Sequence, residues 1–326
     1  MDLQERYAED LVLVRSTGGR VAVGVLVAAL VLLPQGAPGY LIYTASVVAA
    51  HAVIAVGLSL LVGTAGLISL GHAGFVAIGA YAAGLLAAKL HLFWPAAIVG
   101  GGITAASFGY LVGLPALRLT GPYLTIATLG FGIAVQQVLS NWEQLSGGRN
   151  GLFLPKLTLG SWQLTDRHIY YVAMGTLALL VWVAYNLLRS YVGRALVAMR
   201  DSDIAAEVMG VNLTTYKTLA FALSAFYAGV GGALLALILG FLEPQLFTLS
   251  ESIYYFSMIV VGGLGTIPGA VLGAGLLTLL PQQLAQTRAW LPIIYGSILI
   301  FVMAVDPLGL FGRWIKIKLW FKAWPF

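Results

Sequence analysis

Four histidines, 12 acidic residues and no cysteine are the material for chemistry in this chain of 326 residues. His51, His72, His91 and His168 are scattered and lack the spacing that metal ligands need. With no cysteine, disulfides and thiolate metal sites are excluded. No Gly-x-Ser-x-Gly nucleophile elbow occurs, and no Gly-x-x-x-x-Gly-Lys phosphate loop. The sequence therefore reads as a non-enzyme that needs no cofactor of its own. If ATP drives its work, a separate subunit must bind it. His51 and His72 fall within apolar stretches, where a polar side chain is a functional suspect by default. A neutral imidazole bonded to a neighbouring carbonyl is the structural alternative.

The other polar feature is one long interruption, Arg189 to Lys217, reading RSYVGRALVAMRDSDIAAEVMGVNLTTYK. It carries a helix signature. Asp201, Ser202 and Asp203 can cap an N-terminus and put negative charge in its first turn. Gly210 can close the other end in a left-handed conformation. Between them, Ile204, Ala205, Val208 and Met209 share one face. The expected element is a two-turn helix with an apolar ridge and acidic flanks. A plain solvated connection would be only a few residues long and would need no such ridge.

The elements that position these residues follow from composition. The chain is 60% hydrophobic and 9% charged, with a mean hydropathy of +0.93. Soluble domains are about a quarter charged, so this one must use lipid as its solvent. Apolar runs of about 20 residues are too long for barrel strands, so the spans are helices. Spans are expected at 21–33, with a possible extension to residue 40, and at 41–62, 68–90, 94–114, 123–139, 169–188 and 218–242. The run 253–280, broken by GGLGTIPGA, reads as two shorter segments, and 291–305 as the tenth. A polar loop at 141–168 contains FLPKLTLGSWQL, which alternates as a small hairpin does. The first 20 residues carry both signs of charge and no cleavage site, and read as a cytosolic leader.

Ten spans with a cytosolic N-terminus leave Lys89, Arg149, Lys156, Arg167 and Arg288 outside and the other twelve of the 17 basic residues inside. That bias follows the positive-inside rule and places both termini and the 189–217 loop in the cytosol. The net charge of +5 is then loop bias, with no aromatic-interleaved basic patch of the kind nucleic acid requires. The organisation expected is a leader at 1–20, a transmembrane domain at 21–311 and an aromatic, basic interfacial tail at 312–326.

A weak internal repeat aligns Ser69–Ala80 with Gly263–Ala274. Gly-interrupted segments in corresponding halves of a transporter point to its pathway; close helix packing by small residues is the competing explanation. On the pathway reading, Ser69, Gly71, His72, Gly74 and Phe75 line the path together with Gly263, Gly265 and Thr266, the two breaks lying near each other. No carboxylate is expected at mid-depth, which argues against a proton- or sodium-coupled carrier.

The run GRALVAMRDSDIAAEVMGVNLTTYKTLAFALSAFYAGVGGAL resembles the coupling-loop segment of LivM-type permeases of branched-chain amino-acid ABC importers. GLISLGHAGFVAIGAYAAG, RLTGPYLTIATLGFG, LSGGRNGL, PQLFTLSESIYYFSMIVVGGLGTIPGAVLGA and YGSILIFVMAVDPLGLFG extend the resemblance over roughly residues 40–312. It implies an all-α polytopic permease of type II-like architecture. It also implies a short helix seated in a groove of a cytosolic ATPase, a role that falls on Gly193, Arg194, Ala195, Asp203, Ala205, Ala206, Glu207 and Gly210. The implied partners are a second homologous permease, two ABC ATPases, an extracytoplasmic binding protein and the bilayer of a bacterial inner membrane. Where the family commonly has acids, this chain has Ile133 and Gln282, a departure that bears on the exact substrate; urea permeases of the same superfamily share much of the pattern, so urea or another small amide is the alternative cargo. A stand-alone secondary carrier and a structural scaffold are the alternatives from other classes.

Overall fold

A computed structural model describes residues 29–116, 119, 121–154, 158–159, 162–163, 165–283, 293, 296–297, 300, 302, 304 and 309–313. The long helices are α1 (Gly39–Ser59), α2 (His72–Lys89), α3 (Trp94–Ala116), α4 (Pro122–Asn141), α5 (Asp166–Arg189) and α8 (Leu213–Leu239). A π turn, Leu60–Thr64, carries α1 on by one turn. Among the described residues these six are long and apolar enough to cross a membrane. They coincide with the six complete spans expected between residues 41 and 242, because length and apolarity decide a span before any tertiary contact does. The leader, residues 21–28 of the first span, more than half of the tenth span and nearly all of the tail lie outside the described residues. Residues 29–36 are helical, and Tyr170 and Tyr171 of α5 donate hydrogen bonds to the Leu30 and Val31 carbonyls.

Helix α8 sits at the centre, packed on α1, α2 and α3. Close approach there depends on absent side chains: a Cβ on Gly79 of α2 would overlap the backbone of Gly229 in α8. The broken segment resolves into α9 (Leu249–Gly262) and α10 (Ile267–Gln283), joined by a turn at residues 263–266. Gly262 faces Gly269 and Met258 faces Gly273, so the two run antiparallel. At 14 and 17 residues they are about 21 and 25 Å long. Sequence placed the start of this segment at Ile253; α9 begins four residues earlier, which brings Glu251 into its first turn. The bundle therefore does hold a carboxylate that hydropathy alone left outside.

The 141–168 loop contains the expected hairpin. Strand β2 (Thr158–Leu159) pairs antiparallel with β3 (Trp162–Gln163). A second pair was not legible: β1 (Leu152–Phe153) pairs with β4 (Phe241–Leu242) and ties this loop to the end of α8.

Candidate functional site

The 189–217 interruption folds as two helices where sequence indicated one. Helix α6 (Tyr191–Asp201) follows α5 after a single residue, and α7 (Asp203–Val208) follows α6 after Ser202. Ser202 is the N-cap, its hydroxyl accepting from the Ala205 amide at 3.2 Å. Asp203 supplies the first-turn charge, and Gly210 closes the far end with φ +86°. Asp201 does not cap; it ends α6 and binds Arg200 at 2.9 Å.

The eight residues of the expected coupling set divide into two groups. Gly193, Ala195 and Ala206 are buried, and a Cβ on Gly193 would strike the Leu187 and Leu188 carbonyls at the end of α5. Asp203 accepts from Lys217 of α8 at 2.6 Å, and the Lys217 side chain is only 8% exposed. Arg194, Ala205, Glu207 and Gly210 are exposed. Beside them stands the apolar ridge: Ile204, Val208 and Met209 are 78, 81 and 84% exposed. Ile204 and Val208 on this six-residue helix, and Met209 just after it, have no internal packing role and form an exposed apolar patch.

Beneath the ridge, Ala206 enters a small second core. It contains Leu196 and Met199 of α6, Ala220 and Phe221 of α8, Leu124 of α4, and Leu61, Ala65 and Leu67 at the end of α1 and just beyond it. The exposed ridge is thus mounted on a plug that touches the ends of three long helices. Packed side chains thus join α7 to those three helix ends.

The residues of the first Gly-rich break are deep in the bundle. The Leu70 amide donates to Thr128 Oγ1 at 3.2 Å and the Ala73 amide to Ser252 Oγ at 3.0 Å. The start of α2 is therefore held by α4 and by the first turn of α9. Gly71 lies against the Thr128 carbonyl, Gly74 against Gly132, and Phe75 stacks on Phe131 at 4.8 Å. Ser69 and His72 are fully buried, and neither the hydroxyl nor either imidazole nitrogen makes a hydrogen bond of good geometry, although His72 lies near the Ile54 carbonyl. Helix start, small residues and unsatisfied polar atoms come together here.

The second break has other neighbours. Gly263 and Gly265 have φ of +124° and +76°, and Thr266 donates to the Gly263 carbonyl at 2.9 Å. Gly265 lies on Gly63, at the end of α1, rather than on Ser69–Phe75. His51, by contrast, is satisfied: its Nδ1 shares a hydrogen bond with Thr278 of α10 at 2.9 Å, between the rings of Tyr254 and Tyr255.

Residues 40–304 match the family model described as the branched-chain amino acid transport system permease component. The chain belongs to this family. It is similar to the high-affinity branched-chain amino acid transport system permease protein LivM of Salmonella typhimurium, with 36% identity covering 80% of this chain and 67% of that one. LivM of Escherichia coli K12 is 35% identical with the same coverage. The LivH permease protein of the same strain is 26% identical, covering 81% of this chain and 91% of its own. A permease of this family, with six apolar helices of spanning length among its described residues, is a multi-pass membrane protein.

Around the 189–217 interruption, helix α6, the Lys217–Asp203 pair and the contact of Arg200 with Gly63 escaped sequence reasoning. Lys217 carried the one available signal, a lone cation at the head of an apolar helix that needs a counter-charge.

Proposed function

We propose that this permease is the membrane-embedded subunit of an ATP-driven importer, that it forms the path for branched-chain and other hydrophobic amino acids, and that it takes its energy from cytosolic ABC ATPases. The observation that carries this reading is α7, a capped helix that exposes Ile204, Val208 and Met209 and is braced by Lys217 and the second core. A stand-alone carrier has no use for such a ridge. The names of the LivM and LivH relatives favour branched-chain amino acids over urea as cargo. The presence of both types among the relatives favours a pair of homologous permeases around a shared path.

In the working mechanism, a binding protein delivers the amino acid at the outer face of a bacterial inner membrane. Two ATPases close on ATP, the α7 ridge of each permease moves with them, and the path opens inward. Arg194, Ala205, Glu207 and Gly210 belong to the surface that meets the ATPase; Gly193, Ala195, Ala206 and Asp203 hold it in place. The path itself is assigned to the region of the first break, Ser69, Gly71, His72, Gly74 and Phe75. Gly263, Gly265 and Thr266 of the second break lie at the cytosolic end, on the side of α7. Helix starts and unwound backbone suit a zwitterion: amides receive the carboxylate and carbonyls the ammonium. No fixed charge is required, which suits a path that must release its cargo. Both termini are assigned to the cytosol.

Co-purification is the test. The permease, expressed with candidate ATPases of its own genome and a second permease, should isolate as a stable assembly, and Val208→Asp should release the ATPases without loss of the membrane subunit. Isolation as a free permease under every pairing would refute the assignment.

A further inference from the structure

We propose that Arg200, outside the coupling set, is a positioning residue for transport that ties the α6–α7 pair to the junction of the end of α1 with the α9–α10 turn, a role that rests on the functional reading above. Arg200 lies in the last turn of α6, two residues before the cap of α7. One terminal nitrogen of its guanidinium donates to the Gly63 carbonyl at 3.1 Å. Its Nε and other terminal nitrogen hold the Asp201 carboxylate at 3.1 and 2.9 Å.

Gly63 sits in the π turn that ends α1. Carbonyls at a helix C-terminus lack partners within the helix and carry partial negative charge, so a cation there is favoured. Arg200 also fills the space over Gly66, whose φ is +72°; a Cβ there would come within 2.9 Å of Arg200 Cγ. On its other side Gly63 presses on Gly265, and no side chain fits between the two backbones. A contact chain therefore runs from the Ser202 cap through Arg200 and Gly63 to the α9–α10 turn. It bypasses the second core and reaches the turn through one hydrogen bond and one backbone contact. A shift of α7 toward or away from the membrane moves Arg200 with it.

The geometry requires arginine. Its planar fork serves a carboxylate and a carbonyl at once; a lysine ammonium placed on either one leaves the other. Arg200→Lys keeps the charge and gives up one of the two links.

The test uses the assembled importer in proteoliposomes, with Leu264→Cys as a reporter in this cysteine-free chain. Leu264 is exposed on the turn. Expected first is a reactivity of the introduced thiol toward a soluble maleimide that differs between the nucleotide-free and vanadate-trapped states. Expected with Arg200→Lys is an unchanged yield of complex and unchanged ATP hydrolysis, loss of the nucleotide-dependent difference, and uptake per ATP lower by about tenfold, the weight of one charge-assisted hydrogen bond. Retention of both the difference and the uptake ratio in Arg200→Lys and Arg200→Ala would overturn the proposal. So would a turn that ignores nucleotide in the native background, or a parallel fall of yield, hydrolysis and uptake with the difference intact, which would make Arg200 a scaffold residue. Absence of ATP-dependent uptake in the unsubstituted importer would refute the functional reading itself.

Discussion

Removing the Asp203 carboxylate should damage coupling far more than removing the lysine it binds. The pair is asymmetric: the Lys217 side chain is 8% exposed and that of Asp203 41%. Asp203→Asn leaves a cation stranded at the buried end. Stranding one member of a fully buried pair costs about 3 to 5 kcal/mol, and breaking a surface pair costs about 0 to 1. With the aspartate side open to water, the loss should fall between these, about 1 to 3 kcal/mol. That corresponds to roughly a 5- to 150-fold shift in the docking of α7 on α8. Lys217→Met leaves no buried charge. The remaining carboxylate is solvated and still sits at the N-terminus of α7, where the helix dipole favours it. Its cost should stay below about 1 kcal/mol. Two assays read this. Hydrogen exchange of the α7 amides should accelerate by the stated factor in Asp203→Asn and little in Lys217→Met. ATP-driven uptake should fall in the same order. If Lys217→Met is as harmful as Asp203→Asn, or if α7 exchange is unchanged in both, the pair does not hold the coupling helix.

Three further outcomes are expected. Gly210→Val places a β-branched residue at φ +86° in open space, so backbone strain alone, about 1 to 2 kcal/mol, should loosen the end of α7 and lower uptake with insertion intact; normal uptake would count against α7 as the coupling element. Phe153→Cys, at a position 79% exposed in strand β1, should react with an impermeant thiol reagent from outside the inner membrane, and reaction only from the cytosolic side would reverse the orientation. Single cysteines replacing His72 and Thr266 should change reactivity when nucleotide is trapped. Silence at the first of these positions in every state would make the first break a packing device and place the path elsewhere.

What the sequence made legible was local. Six spans could be read because about 20 apolar residues in a row admit little else. Helix α7 could be read because Ser202, Asp203 and Gly210 are start and stop signals close together in the chain. Helix α6 carries no cap of that kind: Ser190 precedes it without a side-chain cap bond, and Gly193 in its first turn reads as a breaker. The long-range contacts were not legible. Arg200 and Gly63 are 137 residues apart and Lys217 and Asp203 are 14 apart, and no periodicity links such pairs. The repeat between Ser69–Ala80 and Gly263–Ala274 did reflect structure, since each copy is a break followed by a helix, His72–Lys89 or Ile267–Gln283. Glu251 was left outside because hydropathy places a charged residue beyond a span even when it forms the span's first turn.

The central claim is that ATP hydrolysed by partner subunits drives a branched-chain amino acid through this permease. The most direct measurement is uptake of labelled leucine into proteoliposomes that carry the full assembly, with binding protein outside and ATP inside. Uptake should require ATP, be unaffected by a protonophore, and fall at least about fivefold with Asp203→Asn. Leucine uptake by the permease alone, driven by a proton or sodium gradient and indifferent to ATP, would contradict it.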